Sequence, residues 1–184
     1  LLYIHILNFT TDTHTSMETE FENLLQKDLH QYLLSKNLID SHLPECPDIE
    51  NKWTEIGAAY LADGVREFNA YPTVSLGWCM FLGMAMAQFW DENCEYYGNA
   101  PQLYESLREQ RGYDCMDEYI LEDILHLDEV ESQHYTNFVA ECASRTYNRL
   151  HHLAIEPGTP AAFHAYQSSF HQLYLMGMAV QLHT

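Results

Sequence analysis

Histidine and carboxylate side chains at helical spacing are the residues of this sequence that could do chemistry, because together they bind transition metals. The clearest fragment is Glu131-x-x-His134, since di-iron helical bundles take one Glu-x-x-His pair from each of two helices. No other glutamate precedes a histidine by three residues, and the nearest counterpart is Asp123 before His126. The spacing of Asp128 and Glu131 is that of a capping box, which gives the glutamate a structural role instead. A di-iron centre is therefore disfavoured.

A second histidine pair, His164 and His171, is seven residues apart and falls on one face of the last predicted helix. With an aspartate or glutamate from the third helix, this pair could complete a mononuclear metal site. Core histidines that are satisfied by a tyrosine or a carboxylate are commoner, and Tyr166 and Tyr174 are near in sequence. We therefore expect no cofactor, with a divalent metal as the alternative.

Methionine and tryptophan side chains in one apolar stretch are candidates for a ligand pocket. The candidates are Trp78, Met80, Met84 and Trp90, because methionine adapts to irregular shapes. The same pattern is typical of the plain core of a helical domain. A small apolar or aromatic ligand bound in this pocket is a second alternative.

The signatures of the common catalytic classes do not occur in the sequence. It has no G-x-G-x-x-G, G-x-x-x-x-G-K-[ST], G-x-S-x-G or H-E-x-x-H. Its five cysteines form no C-x-x-C pair, which argues against a disulfide framework and a structural zinc site. We expect a role without catalysis in a reducing compartment, the cytoplasm.

The charge of the chain argues against two classes of partner. Eight Lys and Arg side chains stand against 27 Asp and Glu side chains, a formal net charge of −19. A nucleic-acid-binding protein neutralises phosphates with clustered cations, and here the cations are scattered along the chain. Neither nucleic acid nor an anionic membrane surface is an expected partner.

The elements that position these residues are predicted to be helices, in an all-α, single-domain bundle of about five long helices and one or two short ones. No stretch after residue 16 alternates as a strand does. Helix starts are indicated by capping side chains and by prolines suited to a first turn. They are the Thr19–Glu22 capping-box spacing, Asp48, Pro72, the Asp128–Glu131 capping-box spacing, and Thr159 before Pro160.

The third helix, at about residues 73–97, is predicted to be the largely apolar centre of the bundle. Residues 68–90 carry no charge, a length sufficient for a membrane span. The early Pro72 and an acidic flank without Lys or Arg disfavour that alternative. Gly83-Met84-Ala85 recurs as Gly177-Met178-Ala179, so we expect two helices in close approach, within or between chains.

Acidic side chains follow this apolar stretch at the unfavourable end of the predicted helix. Asp91, Glu92 and Glu95 oppose the helix macrodipole at a C-terminus. We expect an arginine from another helix (Arg66, Arg108 or Arg111) or water to offset their charge, with a bound cation as the alternative.

Residues 1–16 form an N-terminal extension ahead of the single helical domain at residues 17–184. The extension lacks the positive charge and the cleavage site of a secretory signal. An upstream start or a strand-like arm are the alternatives for it. For the domain we expect an interaction or structural role, and a homodimer fits that role.

Overall fold

Helices account for all the regular secondary structure in the described part of the chain. The computed structural model describes the backbone of residues 2–183 and the side chains of residues 17–183. Its helices are α1 (Leu2–Ser35), α2 (Pro47–Phe68), α3 (Pro72–Glu92), α4 (Cys94–Asn99), α5 (Leu103–Arg111), α6 (Met116–Tyr119), α7 (Glu129–His151) and α8 (Pro160–His183). A 3₁₀ turn (Tyr113–Cys115) precedes α6, and a π-helical turn (Ile120–Ile124) follows it. The predicted all-α bundle with five long helices is confirmed, with three short helices in place of one or two.

Three of the predicted helix starts are confirmed. Pro72 is the first residue of α3, a position where its missing N–H is not needed. The Asp128 carboxylate accepts the Glu131 backbone N–H at 2.9 Å, and the Glu131 carboxylate accepts the Asp128 N–H at 3.0 Å. This capping box begins α7. At the start of α8, Thr159 Oγ1 accepts the Ala162 N–H at 3.3 Å.

The predicted start at Thr19 is wrong. α1 already begins at Leu2, so Thr19 lies inside it. Residues 2–16 are therefore helical and do not form the strand-like arm. Capping-box spacing alone does not start a helix when the preceding turn is also helical.

The predicted cap of α2 is also wrong. Cys46 occupies the cap position and Pro47 is the first helical residue, because proline suits the first turn of a helix. Asp48 lies within that turn, and its carboxylate accepts the Trp90 Nε1–H at 3.1 Å. The side chain therefore ties the start of α2 to the end of α3.

α3 is the central helix of the bundle, as its apolar stretch predicts. Twelve of its 21 residues are buried, and it packs against α2, α7 and α8. By length and composition it could cross a membrane, yet 67% of its most apolar window is buried inside the domain. Such burial is typical of the core helix of a soluble protein, so a membrane span is disfavoured for α3.

α3 and α8 are parallel neighbours. In the first half of both helices, the Cys79 thiol donates to the Phe170 carbonyl at 3.1 Å. Near their ends, Gln181 Nε2 donates to Gln88 Oε1 at 2.8 Å. The contacts therefore follow the same order along both helices.

Two glycines allow this pair of helices to touch backbone to backbone. A Cβ on Gly83 would lie 2.0 Å from the Tyr174 carbonyl oxygen, and a Cβ on Gly177 would lie 2.0 Å from the Met80 carbonyl oxygen. No side chain fits at these distances, so both positions require glycine. The repeated Gly-Met-Ala segments therefore pack within the chain.

α3 ends at Glu92, before the predicted end at residue 97. Asn93 leaves the helical conformation, and its side chain accepts the Tyr96 N–H at 3.0 Å to cap α4. Glu95 therefore lies in the first turn of α4, where negative charge is favourable. Asp91 and Glu92 are exposed to solvent. The three arginines expected to offset their charge form ion pairs with other carboxylates. Arg66 and Arg108 pair with Asp63, and Arg111 pairs with Glu122 and Asp123.

Five buried tyrosines bring hydroxyl groups into the core. They are Tyr60, Tyr97, Tyr104, Tyr113 and Tyr174. Burial raises the pKa of each of these hydroxyls, because the phenolate would lose its hydration. Two of them tie helices together: Tyr104 donates to the Asp63 carboxylate at 2.5 Å, and Tyr174 donates to the Ile49 carbonyl at 2.8 Å.

Candidate functional site

The two histidines of the predicted mononuclear site are in different surroundings. His171 is half-buried, and its ring stacks on Trp53 with 5.4 Å between ring centroids and 12° between ring planes. Burial lowers the pKa of His171, and the nearby Glu22 and Glu50 oppose that shift. His164 is exposed to solvent. The stacking on Trp53 is the packing of a core histidine.

Glu131 and His134 also make separate contacts in the structure. The Glu131 carboxylate is engaged in the capping box of α7. His134 is exposed and lies edge-on to the Phe138 ring, 5.6 Å between centroids. Among the side chains of residues 17–183, no three His, Cys, Asp or Glu residues converge so as to hold a metal ion. The metal alternative gains no support from the geometry of that range.

The methionine and tryptophan candidates pack in and against the core. Met80 and Met84 are fully buried between α3 and α8. Trp78 and Trp90 are half-buried, and each indole N–H donates to an oxygen of another segment. None of the four side chains lines a cavity described below.

Two open cavities lie end to end between α1 and α7, and together they form the α1–α7 groove. The first, of about 600 Å³, is lined on one side chiefly by Met17, Phe21 and Leu24 of α1. On the other side it is lined by Arg149 of α7 and by His152 and Leu153, which follow α7. The second, of about 580 Å³, is lined chiefly by Tyr32, Lys36, Leu38, His134 and Phe138. Arg145 borders both cavities.

Ion pairs bridge the middle of the α1–α7 groove. The Asp28 carboxylate lies 3.0 Å from Arg145 Nη1 and 3.0 Å from Arg149 Nε. The Arg145 guanidinium also pairs with Glu141 at 2.9 Å and lies over the Tyr32 ring, 4.7 Å from its centroid. These contacts link α1 to α7 across the groove, with one cavity on each side of the bridge.

The groove combines exposed apolar surface with balanced charge. Met17 is 42% exposed and Leu24 is 47% exposed. Three cationic and three anionic side chains line the two cavities: Lys36, Arg145 and Arg149 against Glu20, Asp28 and Glu141. The whole chain, by contrast, carries a formal charge of −19. The groove is therefore a locally neutral, partly apolar surface on an acidic protein, and its chemistry suits binding.

Sequence reasoning did not predict this groove. Asp28 is 117 residues from Arg145 and 121 residues from Arg149, so no local pattern connects them. The available signal was the spacing of the two arginines, one helical turn apart in a chain with few cations.

Comparison with models of protein families, with curated proteins and with solved structures finds no match for this chain.

Proposed function

We propose that this chain acts by association rather than by catalysis, as a homodimer whose two copies meet at the α1–α7 groove. The observation that carries the proposal is the neutral, partly apolar lining of that groove in a chain of formal charge −19. A cytoplasmic location accompanies it, because all five cysteines are free thiols and reducing compartments keep thiols unpaired.

Apolar burial supplies the driving force for this association. Met17 and Leu24 are about half exposed in the single chain, and covering such a side chain contributes roughly 1 kcal/mol in each copy. Phe21 and Leu153 lie beside them in the same cavity. A dimer contact at this cavity would therefore cover one continuous apolar surface made of these four side chains.

Electrostatics favour the groove over the rest of the surface as a contact between copies. Two molecules of charge −19 repel each other, and the repulsion is weakest where the facing surfaces are neutral. A contact through the groove leaves the acidic remainder of both copies in solvent. Added salt screens the residual repulsion, so the dimer is expected to become more stable as the salt concentration rises.

Sedimentation velocity over a series of protein and salt concentrations tests the proposal. The monomer has a mass of 21.4 kDa, and a species of about twice that mass is expected to grow with both concentrations. Leu24→Glu should shift the equilibrium to monomer, because it places a charge in the apolar contact. Tyr96→Glu is the matched control, since Tyr96 is 66% exposed and lies on α4, away from the groove.

Three results would contradict the proposal. One is a monomer at every protein and salt concentration. Another is a dimer that Leu24→Glu leaves intact while the helical circular dichroism is unchanged. The third is a dimer that weakens with salt, because such a contact would be held by ion pairs rather than by a neutral apolar surface.

A further inference from the structure

A smaller cavity, of about 190 Å³, lies where the ends of α2 and α7 meet α8. Four rings from these three helices line it, and they are termed the ring cluster: Phe68, Tyr147, His151 and Tyr166. The remaining lining is aliphatic side chains and a proline. Tyr147 is 37% exposed, so the cavity is accessible from solvent.

The rings of the cluster contact one another in series. The Tyr166 and Phe68 centroids are 4.5 Å apart with 41° between the ring planes. The Phe68 and Tyr147 centroids are 6.2 Å apart at 60°, and those of Tyr147 and His151 are 6.0 Å apart at 32°. The planes are inclined and not parallel, as is usual for packed aromatic pairs, and all four rings line the same cavity.

The lining of this cavity contains no Asp, Glu, Lys or Arg. A primary ammonium group that leaves water needs acceptors for its N–H groups, and this lining offers it no carboxylate. A quaternary ammonium group has no N–H, and aromatic faces attract it through the cation–π interaction. The formal charge of −19 adds a long-range attraction for cations.

We infer that the ring cluster is an aromatic cage that binds a quaternary ammonium group. The cavity volume limits the bound part to a headgroup, since an engineered apolar cavity of about 150 Å³ holds one benzene molecule. The rest of the ligand therefore extends into solvent. The cavity shares Leu153 with the α1–α7 groove but none of its four rings, so substitution of a ring tests the cage without removing a side chain of the groove.

Isothermal titration calorimetry with choline chloride and tetramethylammonium chloride tests the cage, with sodium chloride keeping the ionic strength constant. Neohexanol has the shape of choline with carbon in place of the nitrogen, and ethanolamine carries a charge together with N–H groups. Both quaternary probes are expected to bind. Choline is expected to bind roughly tenfold more tightly than neohexanol or ethanolamine, because only the quaternary cation gains the cation–π attraction without losing hydrogen bonds.

Substitutions assign the binding to the ring cluster. Tyr147→Leu removes a ring at a partly exposed position and is expected to weaken choline binding roughly threefold to tenfold. Phe68→Leu is a second variant with the same expected direction. Tyr96→Leu is the control, because it removes an exposed tyrosine on α4 that does not line the cavity.

The inference is overturned if neither quaternary probe binds. It is also overturned if neohexanol or ethanolamine binds as tightly as choline, since the cavity would then select shape or charge alone. Unchanged choline affinity in folded Tyr147→Leu and Phe68→Leu, or an equal loss in Tyr96→Leu, would place the binding elsewhere.

Discussion

At the scale of single residues, two glycines decide how closely the central helices approach. Gly83 of α3 faces the backbone of α8, and Gly177 of α8 faces the backbone of α3. The nearest atom in each case is a carbonyl oxygen, which cannot rotate away as the end of a flexible side chain can. A methyl group at either position therefore forces the two helices apart.

Gly83→Ala and Gly177→Ala are each expected to lower the free energy of unfolding by about 3 kcal/mol or more, because overpacking against backbone cannot relax locally. Urea denaturation followed by circular dichroism measures the loss. Gly98→Ala is the matched control: a Cβ there meets nothing within 4 Å, and the change should stabilise α4 by up to about 1 kcal/mol. Equal stability of Gly83→Ala and the unsubstituted chain would show that α3 and α8 do not touch at this point.

At the scale of one element, the capping box decides where α7 begins. Asp128 and Glu131 each accept the backbone N–H of the other. This exchange satisfies two of the N–H groups that a helix leaves unpaired at its start. It also occupies the Glu131 carboxylate, which the sequence pattern had offered as a metal ligand.

Asp128→Ala is expected to lower the free energy of unfolding by about 1 kcal/mol, because it removes the acceptor for the Glu131 N–H. Asp128→Asn should restore most of that loss, since asparagine is an equally good cap. Asp114→Ala removes the same charge at an exposed position and should stay within about 0.5 kcal/mol of the unsubstituted chain. A loss in Asp128→Ala no larger than in Asp114→Ala would contradict the capping role.

At the scale of the whole molecule, the buried tyrosines make stability depend on alkaline pH. Burial raises the pKa of Tyr113 to about 12, and it also raises the pKa values of Tyr60, Tyr97, Tyr104 and Tyr174. In the unfolded chain a tyrosine has a pKa of about 10. Below that pH the tyrosines keep their protons in both the folded and the unfolded chain, so their contribution to stability is fully present. Above it the unfolded chain loses protons that the folded chain keeps, so the stability falls.

Unfolding is therefore expected in a narrow range above about pH 10. There the free energy of unfolding should fall by about 1.4 kcal/mol per pH unit for each buried tyrosine. Parallel titrations of tyrosinate absorbance and helical circular dichroism measure this. The absorbance of the buried tyrosines should appear together with the loss of the helical signal. Ionisation of all 13 tyrosines with the helices intact would contradict the burial of these hydroxyls.

Much of the fold was predictable because its signals are local. The capping box at Asp128 and Glu131, the proline that starts α3 and the glycines of α3 and α8 each act within a few residues or one helix face. The error at Thr19 arose because the residues before it are also helical. The error at the end of α3 arose because two local signals competed. Asn93 is the example, because its cap for α4 ended a helix whose apolar pattern predicted continuation.

By itself the sequence determined the all-helical class, the central helix and the small residues of the two Gly-Met-Ala segments, because periodicity, caps and side-chain size are properties of each helix. That these segments pack against each other within one chain was decided by the tertiary structure. The tertiary structure alone decided both sites. The groove depends on Asp28 meeting Arg145 and Arg149 across more than a hundred residues. The ring cluster depends on Phe68 and Tyr166 coming from different helices. Such contacts are set by how helices pack, and no spacing within one helix encodes them.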